Sequence, residues 1–181
     1  MEIKENYQSE AFKSNLNLLG THDVSRIKTE LNEDCDVVKL AVAIQMTFEG
    51  VPYVYYGDEA GLCGGLDPDN RRTYPWKEED EDMIEFYKEA INTRRKYDTL
   101  IHGDTKFIDV KNDDVFSFIR YSEEEKILVM INRNEDTQNI ELDFEENTLE
   151  EIDIKNSSKK YLESIFKENE IFSIDLNPKS F

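Results

Sequence analysis

"DCDVVKLAVAIQMTFEGVPYVYYG" (residues 34–57) is the stretch that decides the fold of this chain. Its first part is apolar on most faces, with Asp34 or Asp36 placed to cap a helix and Gly50 placed to end it. A helix that is apolar all round is buried. The run from Val51 to Gly57 is β-branched and aromatic without polar alternation. It predicts a strand buried on both faces, as in a parallel sheet.

The segments on either side extend this pattern. Upstream, "NLNLLG" (residues 15–20) is a short strand candidate, and Asp23 or Ser25 could then cap a short helical turn. Residues 15–57 therefore predict one βαβ unit. Downstream, residues 58–81 form a long loop of the kind that usually carries function. Residues 81–100 predict an amphipathic helix with an apolar face of Met83, Ile84, Tyr87, Ile91 and Tyr97.

The pattern changes after residue 100. Short runs separated by acidic or Asn-containing turns predict seven strands of an antiparallel sandwich or barrel. They are KFIDV, VFSFIRY, KILVMINRN, NIELDF, LEEIDI, KYLESIF and IFSIDLN. The chain is thus predicted to be α/β in residues 1–100 and all-β in residues 101–181. Two parallel strands with their helices cannot bury their own apolar faces, so residues 1–100 are expected to be the end of a larger fold.

The amino-acid composition of the chain argues against some classes of binding partner. The chain is 35% charged and 38% apolar, with a formal net charge of -19. That field repels nucleic acid and anionic membrane surfaces, whereas a neutral sugar is not penalised. The simplest interpretation of the acidity is a solvated surface.

Targeting and metal signals are weak. Cys35 and Cys63 do not form a CxxC motif and no His cluster accompanies them, which argues against zinc and leaves a disulfide open. No cofactor is expected; calcium is possible, although no EF-hand spacing occurs. Without an apolar leader or a membrane-length apolar run, a cytoplasmic protein is the expectation.

Three segments carry a family resemblance. "NLLGTHDVSRI" (residues 17–27) resembles the His-Asp segment that ends the seventh barrel strand in the alpha-amylase family of glycoside hydrolases, family 13. "GVPYVYYGDEAGLCGGLDPDNRRTYPW" (residues 50–76) resembles that family's eighth-strand segment. Its continuation "DPDNRRTYPW" is most similar to the neopullulanase, cyclomaltodextrinase and maltogenic amylase branch. Residues 100–134 resemble the start of the family's C-terminal domain. The resemblance covers roughly residues 15–177.

The resemblance implies an architecture and a site. Residues 1–100 would be the last two βα units of a (β/α)8 TIM barrel, and residues 101–181 an antiparallel β-sandwich. Asp23 would stabilise the transition state by gripping the hydroxyls of the sugar at the cleavage subsite, and His22 would hydrogen-bond the same sugar. Asp67 and Arg71 would bind the next sugar. The implied ligand is an α-glucan oligosaccharide of the maltooligosaccharide, cyclomaltodextrin or pullulan type, cleaved with retention.

Each of these residues also has a purely structural interpretation. His22 and Asp23 could be a helix cap beside a surface histidine. Asp67 or Asp69 could pair with Arg71 or Arg72 only to stabilise the loop. Tyr74 and Trp76 could stack on a pyranose ring or simply pack, and Glu59 is expected to orient its neighbours.

Two carboxylates of the family mechanism have no counterpart in the sequence. A retaining glycosidase needs a nucleophile and an acid/base, and neither motif occurs in these 181 residues. We therefore expect a C-terminal fragment that is inactive alone: the product of a truncated or split gene, a piece of a longer enzyme, or half of a two-chain enzyme. Exposed strand edges and an exposed helix 36–48 predict self-association or a missing N-terminal barrel half. The alternative function is a non-catalytic glucan-binding or structural module.

Overall fold

The computed structural model of the protein describes residues 9–143, 162–168 and 171–180. Contacts between residues divide the chain into two units, Met1–Gly103 and Asp104–Phe181.

The first unit alternates short strands with helices. Its elements are α1 (Ser9–Lys13), β1 (Leu16–Leu18), α2 (Ile27–Glu30), α3 (Cys35–Thr47), β2 (Val51–Tyr53), a 3₁₀ turn (Asp69–Arg71), α4 (Glu81–Lys96) and α5 (Asp98–His102). β1 and β2 pair in parallel, with Leu16 opposite Val51 and Leu18 opposite Tyr53. The predicted strand–helix–strand order is confirmed. The amide of Gln45 on α3 ties both strands to the helix by donating to the carbonyls of Asn17 and Tyr53.

Helix α3 begins and ends as its sequence predicts. Asp34 is the N-cap, and its Oδ1 accepts hydrogen bonds from the backbone N–H groups of Asp36 and Val37 at 3.0 and 3.1 Å. Beyond the helix, Gly50 has a φ of 115°. A Cβ at this position would lie 2.8 Å from the carbonyl oxygen of Asn15, so the return into β2 requires glycine.

The expected burial of β2 on both faces is wrong. Val51 and Tyr53 are 46% and 42% exposed, and Leu16 and Leu18 opposite them on β1 are also exposed. The reason is that two strands cover each other only along one edge, and α3 covers one face. The expected exposure of α3 is wrong for most of its apolar side chains, which are buried, and α3 packs against α4. Its buried residues are Val38, Leu40, Val42, Ala43, Gln45 and Met46.

Helix α4 packs through a slightly different face from the predicted one. Asp80 caps it by accepting from the N–H of Met83 at 3.1 Å. Met83 and Tyr87 are buried as expected, whereas Ile84 and Ile91 are half-buried. Phe86, which was not predicted, is also buried, and Tyr97 ends the helix as its C-cap. No helix among residues 9–143 or in the later described ranges is long and apolar enough to cross a membrane.

A buried arginine joins α4 to the end of α3. Arg94 is 8% exposed and donates to the carbonyl oxygens of Met46, Phe48 and Gly50 at 2.8, 3.0 and 2.6 Å. These acceptors include carbonyls that a helix C-terminus leaves without an intrahelical partner. A cation there also complements the negative end of the helix dipole.

The second unit consists of antiparallel strands. They are β3 (Asp104–Phe107), β4 (Val115–Tyr121), β5 (Lys126–Asn132), β6 (Gln138–Asp143), β7 (Leu162–Glu168) and β8 (Ile171–Leu176). Two three-stranded sheets form, in the orders β3-β4-β5 and β6-β8-β7. Six of the predicted strands correspond to these elements, and the run LEEIDI lies outside the described residues.

Both sheets contribute to one apolar cluster. Alternate side chains of β4 and β5 meet those of β6 and β8, which is how the inner faces of two sheets form a core. The buried members are Ile108, Val110, Val115, Ile119, Met130, Ile140, Leu142, Ile174 and Leu176.

We predict that Arg94→Met lowers the free energy of unfolding of the first unit by about 2–4 kcal/mol, because three buried carbonyls lose a charged donor. Denaturant unfolding followed by the helical circular dichroism signal measures the change. Arg95→Met is the matched control, since Arg95 is the exposed neighbour on the same helix. Equal effects of the two substitutions would contradict the role of Arg94.

Candidate functional site

The His22–Asp23 pair lies in the loop that follows β1. The Nε2 of His22 is 3.2 Å from Oδ1 of Asp23, and their side chains are 60% and 72% exposed. Helix α2 begins at Ile27 with Arg26 as its N-cap, and no side chain caps it. The expected capping by Asp23 or Ser25 is therefore wrong. The Asp23 carboxylate is held by no helix end and faces solvent.

A buried ion pair lies beneath this loop. Arg26 and Asp58 are 0% and 2% exposed, and Nη1 of Arg26 is 2.9 Å from Oδ1 of Asp58. The guanidinium also lies over the rings of Tyr55 and Tyr56, 4.1 and 4.7 Å from their centroids. A buried cation needs such partners, because desolvation without them costs several kcal/mol. Asp58 follows β2, so the pair joins the loop after β1 to the loop after β2.

The environment of Asp58 is tightly packed. A Cβ at Gly20 would lie 2.3 Å from Oδ2 of Asp58, so only glycine fits there. Burial raises the pKa of the Asp58 carboxyl, and the hydrogen bond from Arg26 opposes that shift. Burial also raises the pKa of Tyr87 on α4, with further contributions from the negative charges of Asp58 and Glu59.

Asn70 connects the later loop to the His-Asp segment. Its side chain is fully buried, and its amide donates to the carbonyl oxygens of His22 and Val24 at 2.9 and 2.8 Å. The backbone carbonyl of Asn70 accepts from Nε of Arg26 at 2.8 Å. The segments around residues 22–26, 56–58 and 64–70 therefore meet at one buried polar centre.

Two ion pairs shape the loop that contains Asn70. Nε of Arg71 is 2.8 Å from Oδ1 of Asp67, and both side chains are about half exposed. Arg72 pairs with Asp69, which also accepts from the N–H of Gly65 at 2.6 Å. That backbone hydrogen bond, with Arg72 second, lowers the pKa of Asp69. Ion pairs of the kind that the structural alternative allowed are thus present, and the Asp67–Arg71 pair is open to solvent.

Aromatic side chains follow on the same loop. The ring centroids of Tyr74 and Trp76 are 4.6 Å apart, and Trp76 is 75% exposed. Tyr56 donates from its hydroxyl to the carbonyl of Arg72 at 2.8 Å, which fixes the start of this segment. Glu59 accepts from the N–H of Gly57 through Oε2 at 2.8 Å, in agreement with its expected structural role.

The remaining candidates give no second site. Cys35 and Cys63 are free thiols. His102 is 3.7 Å from Asp98, and both side chains are exposed. Among the residues that the structure describes, no group of three or more His, Cys, Asp or Glu side chains is arranged to hold a metal ion.

The arrangement has a definite chemical character. Exposed carboxylates, an imidazole and a guanidinium lie on two loops that are joined by buried polar contacts. Carboxylates accept and the guanidinium donates strong, directional hydrogen bonds, which suits a polyhydroxylated neutral ligand. Sequence reasoning missed Arg26 and Asn70, although both lie inside the quoted motifs. The only feature of the sequence that could have identified them is their position: Arg26 is three residues after Asp23, and Asn70 is one residue before Arg71.

Comparisons with known proteins identify the family of this chain. Two family descriptions match the chain: "Alpha amylase, catalytic domain" over residues 1–100 and "Maltogenic Amylase, C-terminal domain" over residues 105–157. The chain belongs to the alpha-amylase family of glycoside hydrolases, and it resembles the branch that contains the cyclomaltodextrinases and maltogenic amylases.

Three related proteins show how much of a longer enzyme this chain matches. Amylopullulanase of Thermoanaerobacter thermohydrosulfuricus is 42% identical over 135 residues, which is 66% of this chain and 9% of that protein. Cyclomaltodextrinase of a Bacillus species is 37% identical over 131 residues, 71% of this chain and 24% of that protein. The native debranching enzyme of Nostoc punctiforme is 27% identical with a TM-score of 0.84, covering 99% of this chain and 37% of that one. The chain thus spans less than two thirds of each of these proteins.

We predict that Arg26→Met destabilises the first unit by about 3–5 kcal/mol at neutral pH, because it leaves the Asp58 carboxylate buried and unpaired. Burial then raises the folded-state pKa of Asp58 further above its unfolded value. The penalty is complete above the folded pKa and disappears below the unfolded value of about 4, so the variant gains stability as the pH falls.

Denaturant unfolding across this pH range measures the effect. The control is the double variant Arg26→Met with Asp58→Asn, which removes both charges of this pair. It should be more stable at pH 7 than Arg26→Met alone. A double variant of equal or lower stability would show that the pairing of Arg26 with Asp58 is not what the fold requires.

Proposed function

We propose that the His22–Asp23 pair grips one sugar of an α-glucan and that Asp67 and Arg71 bind the next sugar. The observation that carries this proposal is the solvent-exposed His22–Asp23 pair held above the buried Arg26–Asp58 ion pair. The names of the relatives support the ligand class, since they act on pullulan and cyclomaltodextrins. In a retaining glycosidase, Asp23 would strengthen its bonds to the sugar hydroxyls as the ring approaches the oxocarbenium-like state.

The same family membership supports an architecture. We infer that β1 and β2 are the last two strands of a (β/α)8 barrel, of which residues 1–100 are the C-terminal portion. Their parallel pairing and the polar loops at their carboxyl ends support this, because barrel active sites form at that face. Residues 101–181 would be the antiparallel β-sandwich. The exposed side chains of β1 and β2 would contact either a second copy or the rest of a barrel.

The 181 residues alone would not cut the glucan. The sequence contains neither the nucleophile nor the acid/base motif of the family, and their removal from a concerted set collapses the rate. We propose that these carboxylates belong to polypeptide outside these residues. In this proposal the chain supplies the part of a hydrolase site that holds the substrate and stabilises its transition state.

The binding proposal predicts that Asp23→Ala weakens the affinity for maltooligosaccharides at least tenfold, equivalent to about 1.4 kcal/mol or more. Isothermal titration calorimetry with a maltooligosaccharide series measures it. The matched control is Asp98→Ala, which removes the carboxylate of the other exposed His-Asp pair, His102–Asp98. If Asp23→Ala and Asp98→Ala bind equally well, the His22–Asp23 site is not where the sugar binds. The alternative of a glucan-binding module elsewhere in the chain would then be favoured.

The catalytic proposal predicts that the purified chain releases no reducing sugar from cyclomaltodextrin or pullulan above the rate of a buffer blank. A reducing-end assay at high protein concentration measures this. Turnover by the chain that disappears in Asp23→Ala would overturn the proposal, because it would require a nucleophile within these 181 residues. The Asp98→Ala variant again serves as the control for nonspecific damage.

A further inference from the structure

Asn70 is buried within an otherwise exposed loop, between residues that the family resemblance assigns to sugar binding. Its side chain is fully enclosed, whereas its neighbours Asp69 and Arg71 face solvent. A buried amide is retained only when it is hydrogen-bonded, because an unpaired one costs about 1–3 kcal/mol. The two bonds of its Nδ2 go to the carbonyls of His22 and Val24, at 2.9 and 2.8 Å.

These two carbonyls flank Asp23 on either side. Both are acceptors only, so the atom of Asn70 that faces them must be the amide nitrogen, which carries two protons. The single NH₂ group therefore bridges the peptide unit before Asp23 and the peptide unit after Val24. Asp23 also makes local contacts: its N–H donates to Oγ1 of Thr21 at 3.1 Å, and its carboxylate contacts Nε2 of His22 at 3.2 Å.

Asn70 is in turn fixed from below. Its backbone carbonyl accepts from Nε of Arg26, whose Nη1 binds Asp58. An unbroken series of hydrogen bonds thus runs from the buried ion pair to the backbone of the exposed Asp23.

We propose that Asn70 is a positioning residue for Asp23: its amide clamps the carbonyls of His22 and Val24 and so sets the direction of the Asp23 carboxylate. The role in ligand binding rests on the proposed function, whereas the clamp itself does not. Misplacing a binding group by about 1 Å can cost large factors in activity, so the clamp is expected to matter more for affinity than for folding.

The test uses Asn70→Asp, which keeps the size of the side chain but replaces both amide protons with an oxygen that repels the two carbonyls. The chain has two histidines, so the ring signals in a ¹H–¹³C NMR spectrum of the intact protein report on His22 directly and on His102 as an internal reference. We expect the His22 signals to shift while those of His102 stay, and maltooligosaccharide affinity to fall at least tenfold. Asn70→Ala removes the two donors without adding repulsion, and it should also shift the His22 signals and lower the maltooligosaccharide affinity.

The matched control is Asn92→Asp, the same substitution at an asparagine that is exposed on α4, and it should leave the His22 signals and the affinity unchanged. Unchanged His22 signals in Asn70→Asp would overturn the proposal. If the His22 signals of the wild-type protein do not shift on addition of maltooligosaccharide, the proposed function is refuted. The comparison of the His22 signals between the wild-type protein and Asn70→Asp would still test the clamp.

A measurement on the wild-type protein decides the case if the Asn70 variants do not fold. The side-chain amide protons of Asn70 should exchange with solvent far more slowly than those of Asn92, which is exposed on α4. Exchange of Asn70 as fast as that of Asn92 would contradict the two hydrogen bonds on which the clamp depends.

Discussion

The buried ion pair between Arg26 and Asp58 is the interaction on which the loops after β1 and β2 depend. Each group alone would be a buried charge, and the fold tolerates either one only because the other is present. Arg26 also donates to the carbonyls of Tyr56 and Asn70 and stacks against two tyrosines. A single guanidinium, with its fixed fork of donors, therefore determines where three separate loop segments meet.

The exposed residues above this base have the opposite character. His22 with Asp23, and Arg71 with Asp67, form pairs open to solvent, and such pairs contribute little to stability. That weakness would suit the proposed sugar site, because the groups would exchange their mutual contact for sugar hydroxyls at small cost. The same loops thus carry a buried ion pair and solvent-exposed ion pairs, and the hydrogen bonds of Asn70 connect the two.

Local patterns predicted much of the fold. The βαβ order, the Asp34 cap of α3 and the boundaries of most second-unit strands follow from periodicity, capping chemistry and turn residues, which act between near neighbours in sequence. The uses of Arg26, Asn70 and Arg94 could not be predicted in this way. Each contacts partners about 30 to 50 residues away, and nothing in the local sequence distinguishes a buried arginine from a solvated one. The burial of β2 was predicted wrongly for a related reason: an apolar run predicts that a strand will be covered but not which residues cover it.

Trp76 gives the molecule a built-in optical probe. It is the single tryptophan of the chain, it stands largely exposed beside Tyr74, and it lies five residues beyond Arg71. An indole in that position emits as one surrounded by water, and any ring or surface that covers it shifts the emission to shorter wavelength. The fluorescence of Trp76 can therefore report changes at this loop in real time, without a label and in the presence of any partner that lacks tryptophan.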